Sequence, residues 1–147
     1  METERTAARA RPTVQMLAAL VAAGLLVVGI IGFIPGLTTN LYDGLELAGD
    51  DGDAKILGVF QTSVLHNLIY LLFGLVGLAM ARTWSGARAF LIGGGIIFLG
   101  LWLLGLLGGL DWVPVDDAGD WLHFLLGVAM IGLGLATTRG GPQPGTV

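Results

Sequence analysis

The sequence predicts an all-α integral membrane protein, an up-and-down four-helix bundle with both termini in the cytoplasm. Composition is the first reason, because 54% of the residues are hydrophobic and only 12% are charged, against about 25% charged in an ordinary soluble domain. The second reason is that the mean hydropathy of +0.82 arises from four long apolar runs. The third reason is that the charges around these runs are unevenly distributed.

Each apolar run is long enough to cross a hydrocarbon core of about 30 Å as a helix. The first is stopped by Pro35 and Gly36, and it exceeds the about 7 to 15 apolar residues of a cleavable signal peptide. The second opens with polar side chains, the third is rich in glycine, and the fourth is the shortest. None shows the alternation of a membrane strand. The predicted helices span residues 14–34, 57–80, 89–110 and 121–138, between a cytoplasmic segment 1–13 and a disordered cytoplasmic tail 139–147.

The basic residues predict the orientation. Every arginine lies before the first span, between the second and third spans, or after the fourth. The two other loops contain Lys55 as their only basic residue, together with most of the carboxylates. Because lysine and arginine concentrate in cytoplasmic loops, this distribution places both termini inside.

Several classes of function lack their sequence signature. The chain has no cysteine, which excludes disulfides and thiolate metal sites. It also has no phosphate-binding loop, nucleophile elbow or His-Glu-x-x-His motif, so no catalytic residue and no metal site is predicted. The acidic loops lack the EF-hand pattern. The dispersed basic residues argue against binding of nucleic acid.

Two histidines lie inside predicted spans at equal depth. His66 stands as many residues before Arg82 as His123 stands before Arg139, and both arginines follow their helices on the cytoplasmic side. Both histidines therefore reach the outer part of the membrane. Ionisable side chains inside a span are costly, which makes them the default hypothesis for a functional site.

Residues beside His66 extend this hypothesis. In a ring of four helices, the second and fourth are diagonal partners with axes about 11 to 14 Å apart. That gap suits a cofactor held from both sides, with haem and quinone as the two candidates, and the candidate binding residues are His66, Asn67, Tyr70 and His123. The alternative is that each histidine donates a hydrogen bond to a neighbouring helix and serves packing alone.

Each histidine shares a helix face with glycine. Steps of four and three residues connect each histidine to small and apolar residues, and small residues on a face let helix backbones approach closely. These faces are predicted packing seams, which a second copy or another membrane protein could also use. The two faces are His66, Tyr70, Phe73, Gly77, Met80 and His123, Gly127, Met130, Gly134, Thr137.

Stretches of the second and fourth spans resemble a known family. The sequence Leu65-His66-Asn67-Leu68 and the sequence 121–127, Trp-Leu-His-Phe-Leu-Leu-Gly, are similar to the bacterial four-helix membrane family called domain of unknown function 4383. The resemblance covers nearly all of residues 11–139 and implies a four-helix fold in a bacterial plasma membrane, without implying an activity. In that family a second histidine commonly follows one turn after the first, and Tyr70 occupies the position here.

The expected function is that of a non-enzymatic accessory or interaction protein of the lipid bilayer. Two alternatives stay open. One is a redox protein that binds haem or quinone through His66 and His123, and the other is a subunit of an oligomeric small channel or transporter.

The predicted topology is directly testable. A reporter fused at Asp50 or Asp117 should be exported, because both positions lie in loops that the arginine distribution places outside. Alkaline phosphatase activity in intact cells measures this outcome. Fusions at these positions that are active only as cytoplasmic reporters would overturn the orientation.

Overall fold

The computed structural model describes residues 13–49, 51–108 and 116–137, and in these ranges it contains four α-helices and a small β-sheet. The helices α1, α3 and α4 are each long and apolar enough to cross a membrane, and α2 is apolar but shorter. The prediction of a mostly helical chain with four helices is confirmed. In chain order the elements are α1 Thr13–Ile31, β1 Thr38–Thr39, β2 Lys55–Ile56, β3 Phe60–Gln61, α2 Val64–Met80, α3 Trp84–Leu106 and α4 Asp117–Ala136.

Helices α1 and α2 form one antiparallel pair. The buried Gln15 side chain near the start of α1 donates a 3.1 Å hydrogen bond from Nε2 to the carbonyl of Ala81, just after α2. In the middle of the pair, a Cβ atom added to Gly74 would lie 2.8 Å from the carbonyl oxygen of Ala22. A side chain at this position would meet the α1 backbone, so glycine is what lets α2 contact α1 here.

Helices α3 and α4 form the second antiparallel pair. A Cβ added to Gly127 would lie 2.9 Å from the carbonyl oxygen of Gly95, and a Cβ added to Gly95 would lie 2.8 Å from that of Gly127. The two glycines therefore face each other across the seam. The buried face of α4 consists of His123, Gly127, Met130 and Gly134, which belong to the face predicted from the sequence.

The strands form an antiparallel sheet in the order β1-β2-β3, and it lies between α1 and α2 in the chain. We call this end of the bundle the sheet end and the opposite end, where α2 meets α3, the turn end. The loop before β2 also contacts α2, because the carbonyls of Glu46 and Leu47 accept hydrogen bonds from the backbone of Val64 and Leu65. The first turn of α2 is therefore covered by the sheet and its loop.

The second helix begins at Val64 rather than at the predicted residue 57. Leu57 and Gly58 adopt positive φ angles of 53° and 71° in the turn between β2 and β3, which a helix cannot contain. Ser63 then caps the helix, its side chain accepting a hydrogen bond from the His66 amide. The apolar run that begins at Leu57 therefore contains a turn and strand β3 before α2 begins.

Side-chain caps also move the starts of two other helices. Thr83 accepts a hydrogen bond from the Gly86 amide, so α3 begins at Trp84 instead of residue 89. Asp116 does the same for the amide of Gly119, so α4 begins at Asp117 instead of residue 121. The predicted terminal segments 1–13 and 139–147 lie outside the described residues, except for Thr13, the first residue of α1.

Substituting alanine for Gly127 tests the seam between α3 and α4. The added methyl group would meet the side chain of Leu99 and the carbonyl of Gly95, so we expect a loss of about 1–3 kcal/mol in the free energy of unfolding. Gly132→Ala is the matched control, because nothing lies within 4 Å of a Cβ at that position of the same helix. Unfolding in a detergent mixture measures both variants, and an equal stability of the two would contradict the seam.

Candidate functional site

A cavity of about 210 Å³ lies at the sheet end of the bundle. Its walls come from α1, α2, α4 and the sheet, and most of its lining side chains are apolar. Since α2 and α4 belong to different helix pairs, the cavity occupies the gap between the pairs. The lining residues are Val28, Ile31, Ile56, Leu57, Phe60, Gln61, His66, Tyr70, Asp116, Gly119, Leu122 and His123.

Three of the four residues predicted to bind a cofactor meet in this cavity. The hydroxyl oxygen of Tyr70 lies 3.1 Å from Nε2 of His123, within hydrogen-bond distance. The ring centroids of His66 and Tyr70 are 4.7 Å apart, and those of His66 and His123 are 6.0 Å apart. The distance of about 11 to 14 Å expected from the sequence separates the axes of two diagonal helices. The side chains of these residues extend from the helices into that space and fill most of it.

The ring of Phe98 in α3, a helix of the second pair, packs against the rings of Tyr70 and His123. Its ring centroid lies 5.6 Å from that of His123 and 6.3 Å from that of Tyr70, and the side chain is 4% exposed. Such ring contacts restrict the orientation of the imidazole. Sequence reasoning missed Phe98, because an apolar residue in an apolar helix carries no signal of a special role.

One ring nitrogen of His123 has a hydrogen-bonding capacity that the described protein does not use. His123 is 4% exposed, and its Nδ1 is buried without a hydrogen-bond partner in residues 13–49, 51–108 and 116–137. A neutral imidazole has one donor and one acceptor nitrogen. With Nε2 beside the Tyr70 hydroxyl, Nδ1 is the imidazole nitrogen whose capacity is unused in the described residues.

Asn67, the fourth predicted residue, does not line the cavity. Its side chain is fully buried, with Oδ1 accepting a 2.6 Å hydrogen bond from the hydroxyl of Thr62. The amide also lies against Gly32, where a Cβ atom would overlap it. Asn67 therefore joins the end of α1 to the segment that connects β3 and α2, and its Nδ2 is buried without a hydrogen-bond partner in the described residues.

Asp116 contributes a carboxyl group to the cavity wall beside the sheet. Burial raises the pKa of this carboxyl above its ordinary value, although hydrogen bonds from Gln61 and from the Gly119 amide act in the opposite direction. The contact with Gln61 links the start of α4 to β3. The cavity thus has a carboxyl group in its wall in addition to its imidazole and phenol rings.

The chemistry of the lining suits a small organic molecule better than a metal ion. Within the described ranges, no group of three or more histidine, aspartate or glutamate side chains is arranged to hold a metal. The cavity offers instead an apolar wall with a few convergent polar groups, the usual composition of a small-molecule site. It has room for a ring, and His123 is a lining residue with a ring nitrogen that has no hydrogen-bond partner in the described residues.

The comparisons with known proteins assign a family. A family model described as Domain of unknown function (DUF4383) matches residues 15–136, which reach from the first turn of α1 to the last residue of α4. No curated protein and no solved structure matches the chain. The matched range contains the sheet and all the residues that line the cavity, and the chain belongs to the family of Domain of unknown function (DUF4383).

Proposed function

We propose that this chain is a multi-pass protein of a bacterial plasma membrane that binds a small, largely apolar ring compound, with a quinone head group as the model ligand. Both termini are cytoplasmic, and the cavity at the sheet end lies near the outer surface of the membrane. The protein acts by binding, as an accessory component, and catalyses no reaction of its own.

The helices support a position in the membrane. Three of them have the length and hydropathy of membrane spans, and α2 with 17 residues meets the lower limit of about 17 residues for a crossing helix. Large apolar side chains also point away from the bundle, with Leu20, Leu72 and Leu125 each more than 60% exposed. Exposure of such side chains to water is unfavourable, whereas lipid tails are an apolar surrounding for them.

The observation that carries the binding proposal is the buried, unpartnered Nδ1 of His123, a residue that lines an apolar cavity. A buried polar atom without a partner costs about 1–3 kcal/mol, so its persistence calls for a compensating interaction. A ligand oxygen supplies one, because a carbonyl oxygen accepts a hydrogen bond from Nδ1–H while Nε2 accepts one from the Tyr70 hydroxyl. The imidazole is then fully satisfied.

The volume of the cavity favours quinone over haem. A cavity of about 150 Å³ holds benzene, so about 210 Å³ is space for a small quinone head group and is too small for a porphyrin. The spacing of the rings argues in the same direction, because Tyr70 already occupies the position beside Nε2 of His123. A quinone ring fits within the volume of this cavity without displacing Tyr70 from His123.

The ligand is tested on the full-length protein purified in a mild detergent. We expect quinone in its organic extract, and we expect the emptied protein to bind 2-methyl-1,4-naphthoquinone in a calorimetric titration. His123→Phe keeps a ring but removes both nitrogens, and loss of one buried hydrogen bond should weaken binding about tenfold, equivalent to about 1.4 kcal/mol. Tyr70→Phe should weaken binding less than His123→Phe does. It removes the hydroxyl group that orients the imidazole but leaves both imidazole nitrogens in place.

Tyr42→Phe is the control for the tyrosine substitution. Tyr42 is the other tyrosine of the chain and is 84% exposed, so its hydroxyl group contributes nothing to the cavity and binding should equal that of the wild type. A folded wild-type protein that neither contains quinone nor binds the naphthoquinone would contradict the proposal. Equal affinity of wild type and His123→Phe would also contradict it, because the ligand would then bind elsewhere.

A further inference from the structure

A second groove lies at the turn end of the bundle, far from the cavity. It measures about 230 Å³ and follows one face of α3 from its first residue for about two turns. The lining changes in character along the helix, from Trp84, Ser85 and Arg88 at the end to Ala89, Ile92 and Gly93 further in. One end of the groove is therefore polar and cationic, and the other is apolar.

The guanidinium group of Arg88 is held in a fixed position at the polar end. Its Nε donates a 3.2 Å hydrogen bond to the carbonyl of Gly134 in α4, and its Cζ lies 5.9 Å from the ring centroid of Trp84. These two contacts fix the plane of the group. An arginine carries five N–H donors, so the terminal nitrogens keep their capacity for an anion.

The charges around Arg88 make this end of the molecule attractive to anions. In the described part of the chain, every carboxylate lies in residues 43–53 or 116–120, at the sheet end, and Arg82 is the nearest charged neighbour in sequence. No described carboxylate forms an ion pair with Arg88 in the structure. A partner for its charge must therefore come from another molecule or from outside the described residues.

We infer that this groove binds a phospholipid with a net negative head group, such as phosphatidylglycerol. The phosphate accepts hydrogen bonds from Arg88 and Ser85, and an acyl chain lies along the shallow surface above Ala89 and Gly93. Basic pockets at the ends of membrane helices bind anionic lipids in this way, and a tryptophan such as Trp84 ordinarily lies at the level of the head groups. The inference rests on the proposed position in the membrane and is independent of the quinone site.

The test uses native mass spectrometry of the full-length protein after removal of bound lipid. Titration with dioleoyl phosphatidylglycerol should give a bound species that dioleoyl phosphatidylcholine, which has no net charge, does not give at the same concentration. Arg88→Gln should reduce the bound fraction of phosphatidylglycerol about tenfold, the equivalent of about 1.4 kcal/mol. Arg82→Gln is the matched control, because Arg82 is exposed at the same end but does not line the groove.

A second variant separates loss of the groove from loss of the fold. A Cβ at Gly93 would have nothing within 4 Å, so Gly93→Leu fills the groove without disturbing the packed seams and should also abolish binding of the lipid. Wild-type levels of bound lipid in Arg88→Gln and Gly93→Leu would overturn the inference. Equal binding of the two phospholipids would overturn it as well. If inorganic phosphate alone stabilised the protein, and Arg88→Gln removed that stabilisation, the groove would instead be a site for free phosphate.

A failure of membrane localisation is distinguishable from a failure of this groove. If the protein were released from membranes by alkaline carbonate, both the proposed function and the lipid site would be wrong. If the protein stayed in the membrane fraction but showed no preference for phosphatidylglycerol, only the lipid site would be wrong.

Discussion

The close contact of helix backbones at glycine is the constraint on which the rest of the structure depends. In the membrane that we propose for this chain, lipid tails are as apolar as leucine side chains, so helices associate through close packing rather than through a hydrophobic driving force. Gly95 meets Gly127 across one seam, and Gly74 meets Ala22 across the other. Because these contacts make two tight pairs, the remaining space lies between the pairs, where His66 and Tyr70 of one pair meet His123 of the other.

The sheet end shows how polar groups are accommodated beside an apolar bundle. Buried hydroxyl and amide groups cost free energy unless they are hydrogen-bonded, and Thr62 and Asn67 satisfy part of this requirement for each other. The linkage fixes the segment between β3 and α2 against Gly32, and Asp116 fixes the start of α4 to β3 through Gln61. The polar residues of the second apolar run are thus divided between holding the sheet in place and lining the cavity.

The sequence was most informative where a pattern repeats over several helical turns. The face of α4 from His123 to Gly134 follows from residue spacing alone, and the structure buries those residues. The sheet could not be predicted, because strands of two residues show no alternation, and Leu57 belongs to an apolar run although its φ angle is positive. Ser63 before the run 64–80 was the available signal for the true start of α2, since serine caps helices. The contact of Tyr70 with His123 joins two helix pairs, and no local pattern encodes such a contact.

The central claim is that Nδ1 of His123 binds the ligand. The chain contains two histidines, so a ¹⁵N NMR spectrum of the protein labelled at histidine shows only two imidazole rings, which a His66→Gln variant assigns. The account predicts that 2-methyl-1,4-naphthoquinone shifts the Nδ1 resonance of His123 with saturation at one ligand per chain. Unchanged resonances of His123 at a concentration of naphthoquinone that saturates binding would contradict it.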